Sequence, residues 1–188
     1  FYVFSLGQPA QAESVAIAPE EAGMPVLAVP TPEEALRKET LEAFCPHLPA
    51  YLGTRRWFRG KSRIIRSAQI ADVFEVLPDR SAILMVEVSY NEGEPETYLF
   101  SLSVAAEQEA DDLLQKAPQA VVARLRGEDG RDGILFSAEW DRSFCGAMLD
   151  IIRRRRRLRG ENGALVASST GVFSRLLGAD AGTLETNL

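Results

Sequence analysis

Histidine, cysteine and long apolar runs are all scarce in this 188-residue chain, and each scarcity removes a class of function. The single histidine, His47, is followed by Leu48 and Pro49 and has no neighbour in sequence to complete a nucleophile–base pair or a metal site. It reads as a loop or packing residue. The two cysteines, Cys45 and Cys145, lie 100 residues apart, which encodes no secreted disulfide framework. Two reduced thiols point to the cytoplasm. No apolar run approaches the roughly 18 residues of a membrane span. No signal peptide is visible, and a chain that opens on Phe1 is expected to be a piece of something longer.

What is present is charge, unevenly placed on a net of −6. Residues 53–68, GTRRWFRGKSRIIRSA, hold six basic residues and no acidic one, with Trp57 and Phe58 among them. Arg153 to Arg157 with Arg159 supply six more, so the remainder has 9 basic against 27 acidic residues, a charge of −18. Such a body repels a polyanion, and nucleic acid is not expected as a partner. Five consecutive arginines cover every face of a helix and read as a solvated helix end that complements the dipole.

The basic–aromatic stretch permits several readings. Gly60-Lys61-Ser62 looks like the tail of a phosphate-binding loop, but position 55 is Arg where that loop needs Gly, and a strand rather than a helix is predicted to follow. The plainest expectation packs Trp57 and Phe58 between helix and sheet, with Trp57 as core anchor and long cations covering apolar surface by their stems. A sharper one makes Arg55, Arg56 and Lys61 an inter-domain contact. Asp72, Glu75 and Glu87 fall on predicted strands and are placed to pair across them, which names no acid–base couple. No catalytic, cofactor or metal constellation emerges.

Residues 7–30 hold four of the ten prolines and no basic residue, so they read as a linker with a brief extended piece at PVLAV. Thr31-Pro32-Glu33-Glu34 predicts a capped helix start. Leu36, Leu41, Phe44 and Leu48 continue at near-helical spacing until Pro46 and Pro49 close the element. Strands at 64–76, 82–90 and 96–104, joined by short turns, form an antiparallel meander. A domain boundary is expected there, with the cap unit at 31–104 and a second α+β unit from 105 to 188. That unit would have a helix at 105–116, strands at 119–126 and 133–137, a helix capped by Asp141 running through Leu158, and a strand at 163–168.

The segment LPAYLGTRRWFRGKSRIIRSAQIADV, followed by MVEVSYNEGEPETYLFSLSV, resembles the N-terminal cap of maltokinases. Arg56-Trp57-Phe58 with Gly60-Lys61, and Glu94 to Leu99, carry the likeness, which extends over residues 25–178 through AEWDRSFCGAMLDIIRRRRRLRG. FYVFSL (1–6) resembles the last strand of the β-domain that closes a trehalose synthase, so the whole resembles the junction of a trehalose synthase–maltokinase fusion. The resemblance implies an α+β fold: a cystatin-like cap with an N-terminal helix on a curved antiparallel sheet, then the start of the intermediate lobe of a kinase-like fold. It implies a parent that uses ATP and magnesium to phosphorylate maltose to maltose 1-phosphate for α-glucan synthesis. This segment would lie between two active sites and contain neither. Its partners would be the remaining kinase lobes and the fused trehalose synthase module; a homo-oligomer is left open. The alternative is a stand-alone binding module that uses the Arg/Trp surface for an anionic ligand. The family usually has Gly where this chain has Arg59, and an Arg at positive φ would be strained.

Overall fold

The computed structural model describes residues 23–177. The expected remnant strand at 1–6, residues 7–22 of the expected linker, and residues 178–188 lie outside the described residues.

The antiparallel meander is present as β2 (Ile65–Leu77), β3 (Ser81–Tyr90) and β4 (Glu96–Ala106). Strand alternation sets its two faces. On β3, Ala82, Leu84, Val86, Val88 and Tyr90 are buried on one side, while Ile83 and Met85 point to the other. The sheet does not end there. β4 pairs with β6 (Asp132–Ser137), β6 with β5 (Val121–Gly127), and β5 with β1 (Val26–Val29), in the order β1-β5-β6-β4-β3-β2.

Two expected boundaries are therefore corrected. The extended piece expected at PVLAV is present at residues 26–29, but it is a strand of the sheet rather than part of a linker: it lies parallel to β5 with Leu27 and Val29 buried, so the sheet is mixed rather than antiparallel. Residue 104 is not a break. Leu102, Ser103, Val104 and Ala105 are all buried, and such a two-sided burial belongs to an interior strand that needs a neighbour. The α+β class stands; the sheet belongs to both expected units.

Helices cover both faces. Leu41 and Phe44 of α1 (Lys38–Phe44), Leu48, Tyr51 and Leu52 of α2 (Leu48–Thr54), and Phe58 pack on Leu84, Val86, Leu102 and Leu135. On the other face α3 (Glu107–Lys116) covers Ala105, Val121, Ile134 and Phe136. Beside it lie α4 (Arg142–Arg153) and a hairpin of β7 (Arg157–Arg159) and β8 (Ala164–Val166); α5 (Gly171–Leu177) follows.

The first helix differs from expectation. Pro32–Leu36 is a 3-10 turn, Thr31 makes no side-chain cap, and α1 begins only after extended Arg37. Pro49 does not end a helix but sits in the first turn of α2, where its missing N–H has no intrahelical acceptor to lose. Asp141 caps α4 as expected, its carboxylate accepting Ser143 N–H at 2.9 Å. That helix stops at Arg153, not Leu158, because Arg155 turns to φ 50° and the chain reverses into β7.

Candidate contact surface

The basic–aromatic stretch links α2 to β2, and its chain path follows from two residues. Phe58 is 3% exposed, with its ring 5.0 Å from that of Tyr98. Gly60 passes directly beneath Tyr90. A Cβ there would overlap the Tyr90 hydroxyl and lie 2.6 Å from the Phe58 ring, so only glycine fits. Arg59 opens the 3-10 turn Arg59–Ser62 without positive φ, and the strain expected of an arginine at that position does not arise.

Trp57 is not the core anchor that the sequence suggested. It is 45% exposed, resting on Phe100 (6.1 Å, 29°) and beside Tyr98 (6.1 Å), while Phe58 takes the buried place. Trp57 lies in a turn closed by Phe58 N–H on the Arg55 carbonyl at 3.3 Å, and after it Phe58 takes the place in the core. Leu48 and Leu52 belong to the same core cluster as Phe58.

Arg55 is half-buried. Its guanidinium lies 4.2 Å over the Tyr51 ring and donates to the Gln119 carbonyl at 3.2 Å, while its Nε has no partner. Arg56 and Lys61 are exposed, as is Arg59. None of these last three side chains makes an ion pair among the described residues. The structure thus brings together one half-exposed indole and three unpaired cations.

The edge of this surface is fixed by a cluster the sequence did not announce. Arg63 donates to Glu96 at 2.8 Å and to the carbonyls of Glu94 (2.8 Å) and Glu92 (3.1 Å), with its guanidinium 3.4 Å over the Tyr90 ring. The Tyr98 hydroxyl donates to Glu96, and the Tyr90 hydroxyl does so at 2.8 Å. Those two hydroxyls, then Arg63, hold the Glu96 carboxyl below its usual range. Burial first, then contact with Tyr98 and Glu96, pushes the Tyr90 phenol well above its ordinary value. At neutral pH the carboxylate is charged and the phenols are not, so the cluster is a staple and moves no proton. A signal existed: Glu96 and Tyr98 are two residues apart on a predicted strand and must share a face.

Asp72, Glu75 and Glu87 do not pair across strands, since they stand opposite Met85, Ala82 and Gln69. Among the described residues no three of His, Cys, Asp or Glu gather as metal ligands. Gly60-Lys61-Ser62, packed under Tyr90, offers no phosphate cradle.

Residues 51–141 match the family model of the maltokinase N-terminal cap domain. The matched stretch runs from Tyr51 in α2 to Asp141 at the start of α4, and so takes in β2 to β6 across residue 104. It supports a maltokinase-related module, and a cap domain implies a larger protein with other domains. No curated protein matches the chain. No helix among the described residues is long and apolar enough to cross a membrane.

Proposed function

We propose that this chain is the non-catalytic cap region of a maltokinase fused to a trehalose synthase, and that Arg55, Arg56 and Lys61 face the kinase lobes. The parent reaction would be ATP-dependent phosphorylation of maltose to maltose 1-phosphate, with the machinery for ATP and magnesium supplied by residues outside this chain. One observation carries the reading. Within the stretch that matches the cap-domain model, exposed Arg56, Arg59 and Lys61, with no carboxylate partner among the described residues, flank in sequence an exposed indole that rests on Phe100. Tryptophan and arginine together are the composition of a protein contact.

The test replaces Arg55, Arg56 and Lys61 by Ala in the protein that carries both modules. Kinase activity or thermal stability should fall, with maltose–trehalose interconversion nearly intact. A triple variant equal to wild type in all three measurements defeats the reading. The same unpaired cations favour a second one, an anion-binding module. It predicts that the purified chain alone binds an anionic ligand in a salt-sensitive way, and that the triple variant does not.

A further inference from the structure

Outside that surface, the β7–β8 hairpin is fastened to the sheet by one carboxylate. Asp72 on β2 is 4% exposed and accepts the backbone N–H groups of Glu161 at 2.8 Å and Asn162 at 3.1 Å, along with that of its neighbour Val73 at 2.9 Å. Asn162 Nδ2 donates to the Ala71 carbonyl at 3.0 Å, and Lys38 of α1 pairs with Glu161 at 3.2 Å. The fit is close: a Cβ on Gly160 would overlap the Asp72 carboxylate. All of these attachments are at the tip of the hairpin.

Beyond the tip the hairpin is held by its short ladder, by backbone bonds at its base (Arg156 N–H to the Ile151 carbonyl and Ala167 N–H to the Arg156 carbonyl, both 3.0 Å) and by apolar contact. Each strand has three residues, and a ladder that short does not persist alone in water. Its base leaves α4 through Arg155 at φ 50°, where the N–H groups of Arg155 and Arg156 close the helix end on the Ile152 and Ile151 carbonyls at 3.2 and 3.0 Å. Its inner side, Leu158 and Leu165, forms one wall of an apolar groove of about 410 Å³, completed by Ile83, Leu99, Met148 and Ile152. Val166 is 67% exposed beside it.

We propose that the β7–β8 hairpin is a strap over this apolar groove, latched by Asp72, and that releasing the latch opens the groove. The carboxylate holds two N–H groups of the tip that would otherwise be unpaired in a partly buried place, so losing it leaves the tip with donors and no acceptor. The hairpin then swings about Arg154–Arg156, and the apolar wall formed by Leu158 and Leu165 leaves with it.

The arginines of the strap supply their own assay. Limited trypsin cleavage after Arg157 and Arg159 should be slow in the wild-type chain and rise about tenfold or more in Asp72→Asn, the scale of losing one hydrogen bond to a charged acceptor. Nile red, a neutral apolar dye, should bind more strongly to the variant. Hydrogen exchange of β3 and β4 amides should stay as in wild type. Unchanged cleavage in Asp72→Asn overturns the proposal. Should that variant lose protection in β3 and β4, Gly160→Ala decides, because it displaces the tip without removing a group from the sheet. Faster strap cleavage with the sheet protected supports the latch; unchanged cleavage, or a sheet lost in both variants, overturns it.

Discussion

Trp57 and Phe58 are adjacent aromatic residues with opposite fates, and truncating each measures how the basic–aromatic stretch is built. Phe58 is 3% exposed within the main core, so Phe58→Ala should cost about 3–5 kcal/mol, the transfer of a ring plus the cavity it leaves. Trp57 is 45% exposed and keeps one side in water. Its loss forfeits ring contacts with Phe100 and Tyr98 and part of its burial, for about 1–2 kcal/mol. Urea unfolding followed by far-ultraviolet circular dichroism reads both, since Trp57→Ala removes one of only two tryptophans and spoils a fluorescence comparison. Both rings touch Tyr98, so the double variant should depart from additivity by about 0.5 kcal/mol or more. A Trp57→Ala cost equal to or above that of Phe58→Ala would refute the assignment of inner and outer ring.

Three further outcomes are expected. Gly60→Ala should destabilise by about 1–3 kcal/mol in the same urea assay, because the added methyl must displace Tyr90 and Phe58; a neutral result would mean that the turn is loosely packed. Asp141→Ala should cost about 1–3 kcal/mol, since it removes the α4 cap and one of the carboxylates that hold Arg80; an effect below about 0.5 kcal/mol would contradict that double role. The third concerns acid. Burial raises the Asp72 carboxyl, but the N–H groups of Glu161, Val73, Asn162 and Gly163 outweigh it, so its folded pKa lies below the ordinary value. Its contribution is therefore complete above the unfolded pKa of about 3.9 and fades as pH falls through the lower folded value. Lys38, Glu42, Arg159 and Glu161 line the cleft that holds Asp72, separate from the apolar groove under the strap. Hydrogen exchange of residues 157–166 should quicken relative to β3 between about pH 4 and pH 2, and equal protection throughout would count against it.

The meander was legible because alternation and short turns are local facts: 82–90 and 96–104 were expected, and Ser81–Tyr90 and Glu96–Ala106 were found. The continuation of the sheet was not. Whether Val104 pairs with Leu135, or Val26 with Arg124, depends on partners tens of residues away, and periodicity has no range to report them. Pro49 misled because proline ends one helix and begins another, and only the chain path distinguishes the two. At the site, the cations of residues 55–61 were found by composition, and Phe58 was rightly placed in the core, whereas Trp57 was not buried because it falls in a turn whose geometry composition does not report. Asp72 was noticed as a strand carboxylate, but its partners are backbone N–H groups 89 and 90 residues away, which no residue type encodes.

Three arginines tie distant parts of this fold together, and the exposed cations of the basic–aromatic stretch differ from them. Arg63 binds Glu96 and two carbonyls, Arg80 binds Glu109 and Asp141, and Arg131 binds Glu33 and Asp129. Each joins elements distant in sequence through several charge-assisted bonds, which distinguishes them from single surface pairs of little worth. Arg56, Arg59 and Lys61, close in sequence and exposed, make no ion pair among the described residues and bring like charge together. Carboxylates from another lobe would relieve that repulsion, and Trp57 between them would supply the desolvated contact. If so, Trp57 is worth more in the whole protein than in the chain by itself. Trp57→Ala should cost the chain about 1–2 kcal/mol but take a further 2 kcal/mol or so from the association of its neighbours, the scale of an interfacial tryptophan. The measurement is the shift in thermal midpoint for the same variant in the chain alone and in the protein carrying the kinase lobes, scored on the kinase transition. Equal free-energy losses in the two settings would place Trp57 on open surface and remove the basis for an inter-lobe contact.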